Sequence, residues 1–280
     1  MSRVLVTGGT GFVGRAVLAQ LAARGLPVRA VVRSGRAGAL TRLNIDMEVV
    51  ETDDAFGETA DWWADRCRGI DLVLHLAWYA EPGKYLTSER NLDCLAGTLA
   101  LARGAARAGI RRFVGVGTCF EYDLTPGRLT TDTPLDPLTP YAAAKAGAFM
   151  TLRRWLPLQG VEFLWARLFY LYGEGEDARR LVPYLHRQLA AGAPADLTEG
   201  RQIRDFLEVG DAAALLVSDA LGTAQGASNI ASGKGITVRE LALSIADIYG
   251  RRDLLNFGAR PDNLTDPPCV IGLRGEKTAR

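Results

Sequence analysis

The run Thr7-Gly8-Gly9-Thr10-Gly11-Phe12-Val13-Gly14 stands between the apolar segment Arg3-Val4-Leu5-Val6-Thr7 and a helical pattern from Phe12 to Arg24 that Gly25 closes. A strand that turns over glycine straight into a helix aims the free amides and positive dipole end of that helix at whatever lies beyond the strand. Gly8 allows the tight turn, Gly11 lets backbone approach a pyrophosphate, and Gly14 permits close packing of helix on strand. In this context the spacing is the dinucleotide fingerprint, with Thr10, Phe12 and Val13 beside the phosphates. The plainer reading is an ordinary strand-turn-helix junction.

Further strands are expected at Val28 to Val32, Met47 to Glu51, Asp71 to Leu76, Arg112 to Val116 and Glu162 to Arg167. Helical stretches fall between them, from about Asn91 to Ala108 and from Tyr141 to about Trp155. This alternation predicts an α/β protein with a doubly wound parallel sheet of Rossmann type over residues 1–168. Beyond Phe169 the alternation loosens, and residues 169–280 are read mainly as a smaller C-terminal substrate-binding lobe, with the chain interleaving between the two. Helices are expected there at Leu181 to Ala191, Asp211 to Leu221 and Thr237 to Tyr249, and none in the tail from Arg260.

Composition narrows the partners. Lys and Arg number 33 against 32 Asp and Glu, a net charge of +1, so no basic footprint points to nucleic acid. No apolar run has the ~20 residues of a membrane span. A signal peptide is not evident, and Cys67, Cys94, Cys119 and Cys269 lack ligand-like spacing, so a cytoplasmic protein with free thiols and no metal is expected. His75 lies inside an apolar strand and is read as packed.

Chemistry is carried by Tyr141 and Lys145 in Thr139-Pro140-Tyr141-Ala142-Ala143-Ala144-Lys145. Thr139 suits an N-cap and Pro140 the first helical position, which puts Tyr141 in the first turn. A lysine one turn on is expected to lower a phenol that otherwise titrates near ~10. The end of the second strand bears on the cofactor. No carboxylate follows Val31-Val32 to bind a ribose hydroxyl. Arg33 stands there instead, and with Ser34, Arg36 and Thr10 it suits the 2′-phosphate of NADP(H), although NAD(H) stays possible.

Taken together, residues 1 to about 257 resemble the extended short-chain dehydrogenase/reductase family of the NAD-dependent epimerase/dehydratase type, especially its nucleotide-sugar enzymes. The family's glycine pattern matches Thr7 to Gly14, and its adenine-contacting acid matches Asp53. Its HLA segment at the nicotinamide ribose matches His75-Leu76-Ala77, and its helix asparagine matches Asn91. The catalytic Ser/Thr falls at Thr118, YxxxK at Tyr141 and Lys145, RxxN(V)YG at Arg167 to Gly173 with Tyr170 for the asparagine, and RDF at Arg204-Asp205-Phe206. The resemblance implies Thr118 binding a substrate oxygen, Tyr141 as general acid or base, Lys145 on the nicotinamide ribose, and Arg204 near a diphosphate. Trp78, Lys84, Thr118, Cys119, Tyr170 and Arg204 are the substrate-side candidates. It also implies a homodimer.

A dehydratase of this family carries an Asp-Glu pair after its catalytic Thr, where this chain has Cys119 and Phe120. The expected activity is therefore NADPH-dependent reduction of a nucleoside-diphosphate 4-keto-6-deoxy sugar. The alternatives are a 4-epimerase with bound NAD(P), a non-sugar ketone reductase and a dinucleotide-sensing binding protein.

Overall fold

The computed structural model describes residues 3–40, 46–263 and 266–274. Its first part runs β1 (Val4–Thr7), α1 (Phe12–Ala22), β2 (Val28–Arg33), β3 (Met47–Thr52), α2 (Ala60–Arg66), β4 (Leu72–His75), α3 (Arg90–Arg107), β5 (Arg112–Thr118), β6 (Arg128–Leu129), α4 (Pro140–Trp155) and β7 (Glu162–Leu168). It continues with β8 (Tyr170–Tyr172), α5 (Leu181–Ala190), β9 (Ala195–Leu197), β10 (Ile203–Arg204), β11 (Phe206–Glu208) and α6 (Val209–Leu221). The last elements are β12 (Gly226–Ile230), β13 (Ile236–Thr237), α7 (Val238–Tyr249), β14 (Leu255–Phe257) and β15 (Cys269–Gly272).

Seven parallel strands form the main sheet in the order β12-β7-β5-β4-β1-β2-β3. The order reverses between β1 and β4, which opens a crevice at their C-terminal ends, the place where such sheets bind ligands. Both faces are covered. Val4 and Val6 of β1 join the core under α1 and α6, while Leu5 joins the core under α2, α3 and α4. Burial on both faces is why these strands read as continuous apolar runs rather than alternating ones.

The chain leaves this sheet after β7 and returns to it at β12, beside β7, so the region after 168 gives α6 and β12 back to the sheet layer. The remainder packs α5 and α7 around β9 and β14 in a core of its own. A four-stranded sheet, β13-β10-β15-β6, joins the two regions. Its strand β15 comes from the tail, where no helix is expected and none forms among the described residues.

The periodicity does not predict α2, a helix of 7 residues started by Thr59, whose hydroxyl accepts the Trp62 N–H at 3.2 Å. It packs on α3 through missing side chains: a Cβ on Gly104 would stand 2.4 Å from the Ala60 carbonyl oxygen. Among the described residues no helix is long and apolar enough to cross a membrane. Nor does any cluster of three or more His, Cys, Asp or Glu among them suit a metal ion.

Because backbone must move to admit one methyl group, Gly104→Ala is expected to lower stability by about 1–3 kcal/mol. Thermal denaturation followed by circular dichroism reads this, and an unchanged midpoint would show that α2 repacks freely.

Candidate active site

The glycine turn is built by contact as well as by conformation. Gly8 has φ +74°, and a Cβ there would lie 2.6 Å from the Ala77 amide nitrogen on the chain leaving β4. A Cβ on Gly14 would lie 2.0 Å from the Gly8 carbonyl oxygen. Gly11 caps α1 without any side-chain hydrogen bond, and the first turn of α1 holds no acidic residue. The turn is thus bare backbone at a positive helix end and fits a pyrophosphate. Thr10, Phe12 and Val13 flank it, partly exposed, and Leu76 is tied to it by its N–H to the Thr7 oxygen at 3.2 Å. His75 is enclosed between Thr7 Oγ1 at 2.7 Å and Thr98 Oγ1 at 2.9 Å. Burial pushes it down to about 3, so it is neutral and packed as expected.

Tyr141 arrives from the first turn of α4. Thr139 Oγ1 accepts the Ala142 N–H at 3.2 Å, Pro140 occupies the first helical position, and the Tyr141 N–H reaches the Leu86 oxygen at 3.1 Å. Thr118 ends β5. Lys145 is buried between these groups, with Nζ 4.2 Å from the Trp78 ring centroid and 5.6 Å from that of Tyr141. The three expected catalytic residues therefore converge at the C-terminal end of β5, across β4 from the strand that leads into the glycine turn.

One electrostatic expectation fails. Burial pushes the Tyr141 phenol above its ordinary value, Tyr85 adds to the rise, and a hydrogen bond to Thr118 opposes it. Lys145 does not counter this, because its ammonium donates to the Val116 oxygen at 2.6 Å and covers the face of Trp78. Burial lowers Lys145 itself to about 8, against a smaller upward pull from Glu121.

Behind Thr118 lies a group that the motifs do not reveal. Glu121 is fully buried, and its carboxylate accepts the Thr118 N–H at 2.8 Å, Trp165 Nε1–H at 3.0 Å and Arg167 Nε–H at 2.8 Å. Arg167 also donates to the Tyr122 hydroxyl at 2.9 Å, and that hydroxyl donates to Asn229 Oδ1 at 2.7 Å. The available signal is Arg167, a charge set inside an apolar strand, which demands a buried partner. Tyr85, in the loop before α3, meets the Tyr141 ring edge-on with centroids 4.8 Å apart.

The substrate-side candidates divide. Trp78 lies in the cluster and donates Nε1–H to Asn91 Oδ1 at 2.9 Å. Asn91 commits its amide to the Tyr85 and Ser88 oxygens, so it braces this loop. Lys84 does not join them, since its ammonium pairs with Glu81 at 2.9 Å on the surface. Cys119 is buried and its thiol is pushed up to about 12, which removes it as an acid near neutrality. Tyr170 sits between Phe120 and Phe206, each with centroids 6.1 Å away, and its buried hydroxyl has no partner among the described residues. Arg204, expected to face a diphosphate, is instead buried in an ion pair with Asp266 at 2.7 Å. Its neighbour Asp205 accepts the N–H groups of Ser232 at 2.7 Å, Gly233 at 2.9 Å and Gly272 at 3.2 Å, so this segment clamps the lobe together.

At the other end of the crevice Arg33, Ser34 and Arg36 are exposed. The turn they form holds a carboxylate from β3: Gly35 N–H donates to Glu51 Oε1 at 3.0 Å and Ala37 N–H at 3.3 Å. Ser34, Glu51, Asp53, Asp54 and Glu58 border an open cleft of about 430 Å³.

Known proteins resemble this chain in sequence and fold. UDP-glucose 4-epimerase of Azospirillum brasilense is 26% identical over 298 residues, covering 96% of this chain and 83% of that protein. The dTDP-6-deoxy-L-talose 4-dehydrogenase (NAD(+)) of Aggregatibacter actinomycetemcomitans is 22% identical over 273 residues, covering 97% of this chain and 99% of that protein. The crystal structure of UDP-glucose 4-epimerase from Thermus thermophilus in complex with NAD superposes with a TM-score of 0.79 at 23% identity, covering 97% of this chain and 90% of that one. The family model for the NAD dependent epimerase/dehydratase family matches residues 4–229, from the first strand through the glycine turn and the Thr118–Tyr141–Lys145 cluster into β12, and this chain belongs to that family.

Proposed function

We propose that this enzyme reduces the 4-keto group of a nucleoside-diphosphate 4-keto-6-deoxy sugar. The observation that carries the reading is the convergence of Thr118, Tyr141 and Lys145 at the C-terminal end of β5, with Cys119 and Phe120 where a dehydratase needs its acid pair. Trp78 and Tyr85 pack edge-on against Tyr141, and these aromatic surroundings suit the apolar methyl of a 6-deoxy sugar better than a hydroxymethyl that would need hydrogen bonds. The talose dehydrogenase relative, named for a 6-deoxy sugar and a 4-position reaction, matches nearly end to end.

When bound, the nicotinamide supplies the hydride. The Thr118 hydroxyl orients the C4 oxygen, and Tyr141 gives that oxygen its proton. Burial keeps the phenol protonated at neutral pH, so it holds the proton the reaction needs, although the same burial makes it a weaker acid than free tyrosine. The Lys145 ammonium, set over the Trp78 ring, would hold the nicotinamide ribose. Arg33 supports NADPH as the reductant, and Glu51 supports NADH.

A second reading, a 4-epimerase, is favoured by the Azospirillum brasilense relative. The two differ in cofactor balance. A reductase consumes one reduced cofactor per 4-keto sugar, and mass spectrometry finds a product heavier by two hydrogens. An epimerase interconverts UDP-glucose and UDP-galactose with no net change in cofactor. Interconversion without consumption of reduced cofactor would overturn the reductase reading.

Tyr141→Phe is expected to cut kcat by ~10²-fold or more while leaving cofactor affinity nearly intact. Near wild-type turnover would remove Tyr141 from the proton transfer.

The pH profile gives a separate check. Lys145 is cationic below its lowered pKa of about 8, so kcat/KM in the free enzyme should fall as pH rises through that value. Its cause predicts a companion effect: between that pKa and the ordinary lysine value near ~10.4 the unfolded chain binds the extra proton, so this group's contribution to stability rises with pH there. A kcat/KM flat to about pH 10 would show that the Lys145 charge is not required.

A further inference from the structure

The turn after β2 already holds an anion of the protein's own. Gly35 and Ala37 turn their N–H groups onto one oxygen of Glu51, and the Ser34 N–H is held by the Thr52 oxygen at 3.0 Å. Converging backbone amides of this kind are phosphate-binding geometry. In sheets with this topology the end of β2 reads the ribose 2′ position, by a carboxylate for a free hydroxyl or a guanidinium for a 2′-phosphate. This chain carries both signals. Arg33 ends β2, and Glu51, paired in register with Val32, reaches into the same turn from β3.

Their geometry is unequal. Arg33 is exposed at the strand end, whereas Glu51 is fixed by two backbone donors. A 2′-phosphate that sought those amides would have to displace the Glu51 carboxylate. It would also enter a cleft bordered by Asp53, Asp54 and Glu58, each adding like charge. A ribose diol brings the opposite chemistry, because its hydroxyls donate and a carboxylate retains lone pairs to accept them.

We infer that Glu51 selects the cofactor of this enzyme. It reads the ribose diol of NAD(H) from β3, replaces the acid missing from the end of β2, and bars the 2′-phosphate of NADP(H). The inference rests on the dinucleotide-binding part of the proposed function and not on the identity of the sugar.

The test is equilibrium binding without sugar, by titrating NADH and NADPH into the purified protein and reading cofactor fluorescence. Wild type should bind NADH at least about tenfold more tightly than NADPH. Glu51→Gln keeps an oxygen for the Gly35 and Ala37 amides but removes the charge and the second acceptor, so NADH should weaken and the NADPH-to-NADH affinity ratio should rise by about tenfold or more. Adding Arg33→Ala to that variant should lower that ratio again, since the guanidinium is then the phosphate's partner. Arg33→Ala alone should leave the NADH titration as in wild type. Circular dichroism checks that each variant folds. Wild type that prefers NADPH, or an unchanged ratio in Glu51→Gln, overturns the inference. Should Glu51→Gln not fold, the wild-type ratio and Arg33→Ala still decide, because loss of NADPH affinity on removing Arg33 alone would return selection to Arg33. The expected ratio in a protein inactive on 4-keto sugars leaves the inference standing and sinks only the sugar reading.

Discussion

Glu121 places a charge at the centre of the molecule, and the catalytic end of the sheet is arranged around it. Taking a carboxylate out of water costs several kcal/mol, and only a well-placed cation and a full set of donors offset this. Arg167 on β7 supplies the cation, Trp165 the indole donor, and Thr118 its own backbone N–H. Space for them comes from residues that lack side chains: a Cβ on Gly117 would lie 2.2 Å from Trp165 Nε1 and 2.3 Å from Glu121 Oε1. Leaving Arg167 buried without its partner would cost about 3–5 kcal/mol, so β5 and β7 keep one register and Thr118 keeps one position. Thr118, proposed to orient the substrate oxygen, is thus held through its backbone N–H by a buried ion pair behind it.

The same dual use appears at the crossover between β1 and β4. Thr7, His75 and Thr98 form a buried row of hydrogen bonds that joins β1, β4 and α3 below the glycine turn. A charged imidazole there would repel Lys145, and that lysine does push His75 further down. The neutral ring lets the Lys145 cation sit close by. Packing chemistry and site chemistry are here the same set of contacts.

Local patterns are legible in the sequence. The glycine turn, the Thr139-Pro140 helix start and the alternation of strands and helices each follow from a few neighbouring residues, and each stands where expected. What escapes the sequence depends on partners distant in the chain. Glu51 reaches from β3 into the turn after β2, Arg204 pairs with Asp266, and β12 joins the sheet only by pairing with β7. The direction of the Tyr141 shift is hidden for a related reason. Spacing puts a lysine one turn away, but it does not say that the phenol is buried or that the ammonium already donates to Val116. The helix α2 is too short for periodicity to register.

These placements together give the crevice a direction. Carboxylates crowd the end of β3, bare amides and the positive end of α1 stand in the middle, and a buried lysine stands below Trp78 at the far end. A dinucleotide has matching parts in the same order: a diol and adenine that donate hydrogen bonds, a pyrophosphate dianion, and a second ribose whose hydroxyls can accept from an ammonium. Reversed, it would gain nothing at the pyrophosphate and lose complementarity at both ends. On the proposed reading the sheet would orient the cofactor before any substrate contact is made, and the proposed selection at Glu51 and proton transfer at Tyr141 would lie at two ends of one electrostatic gradient.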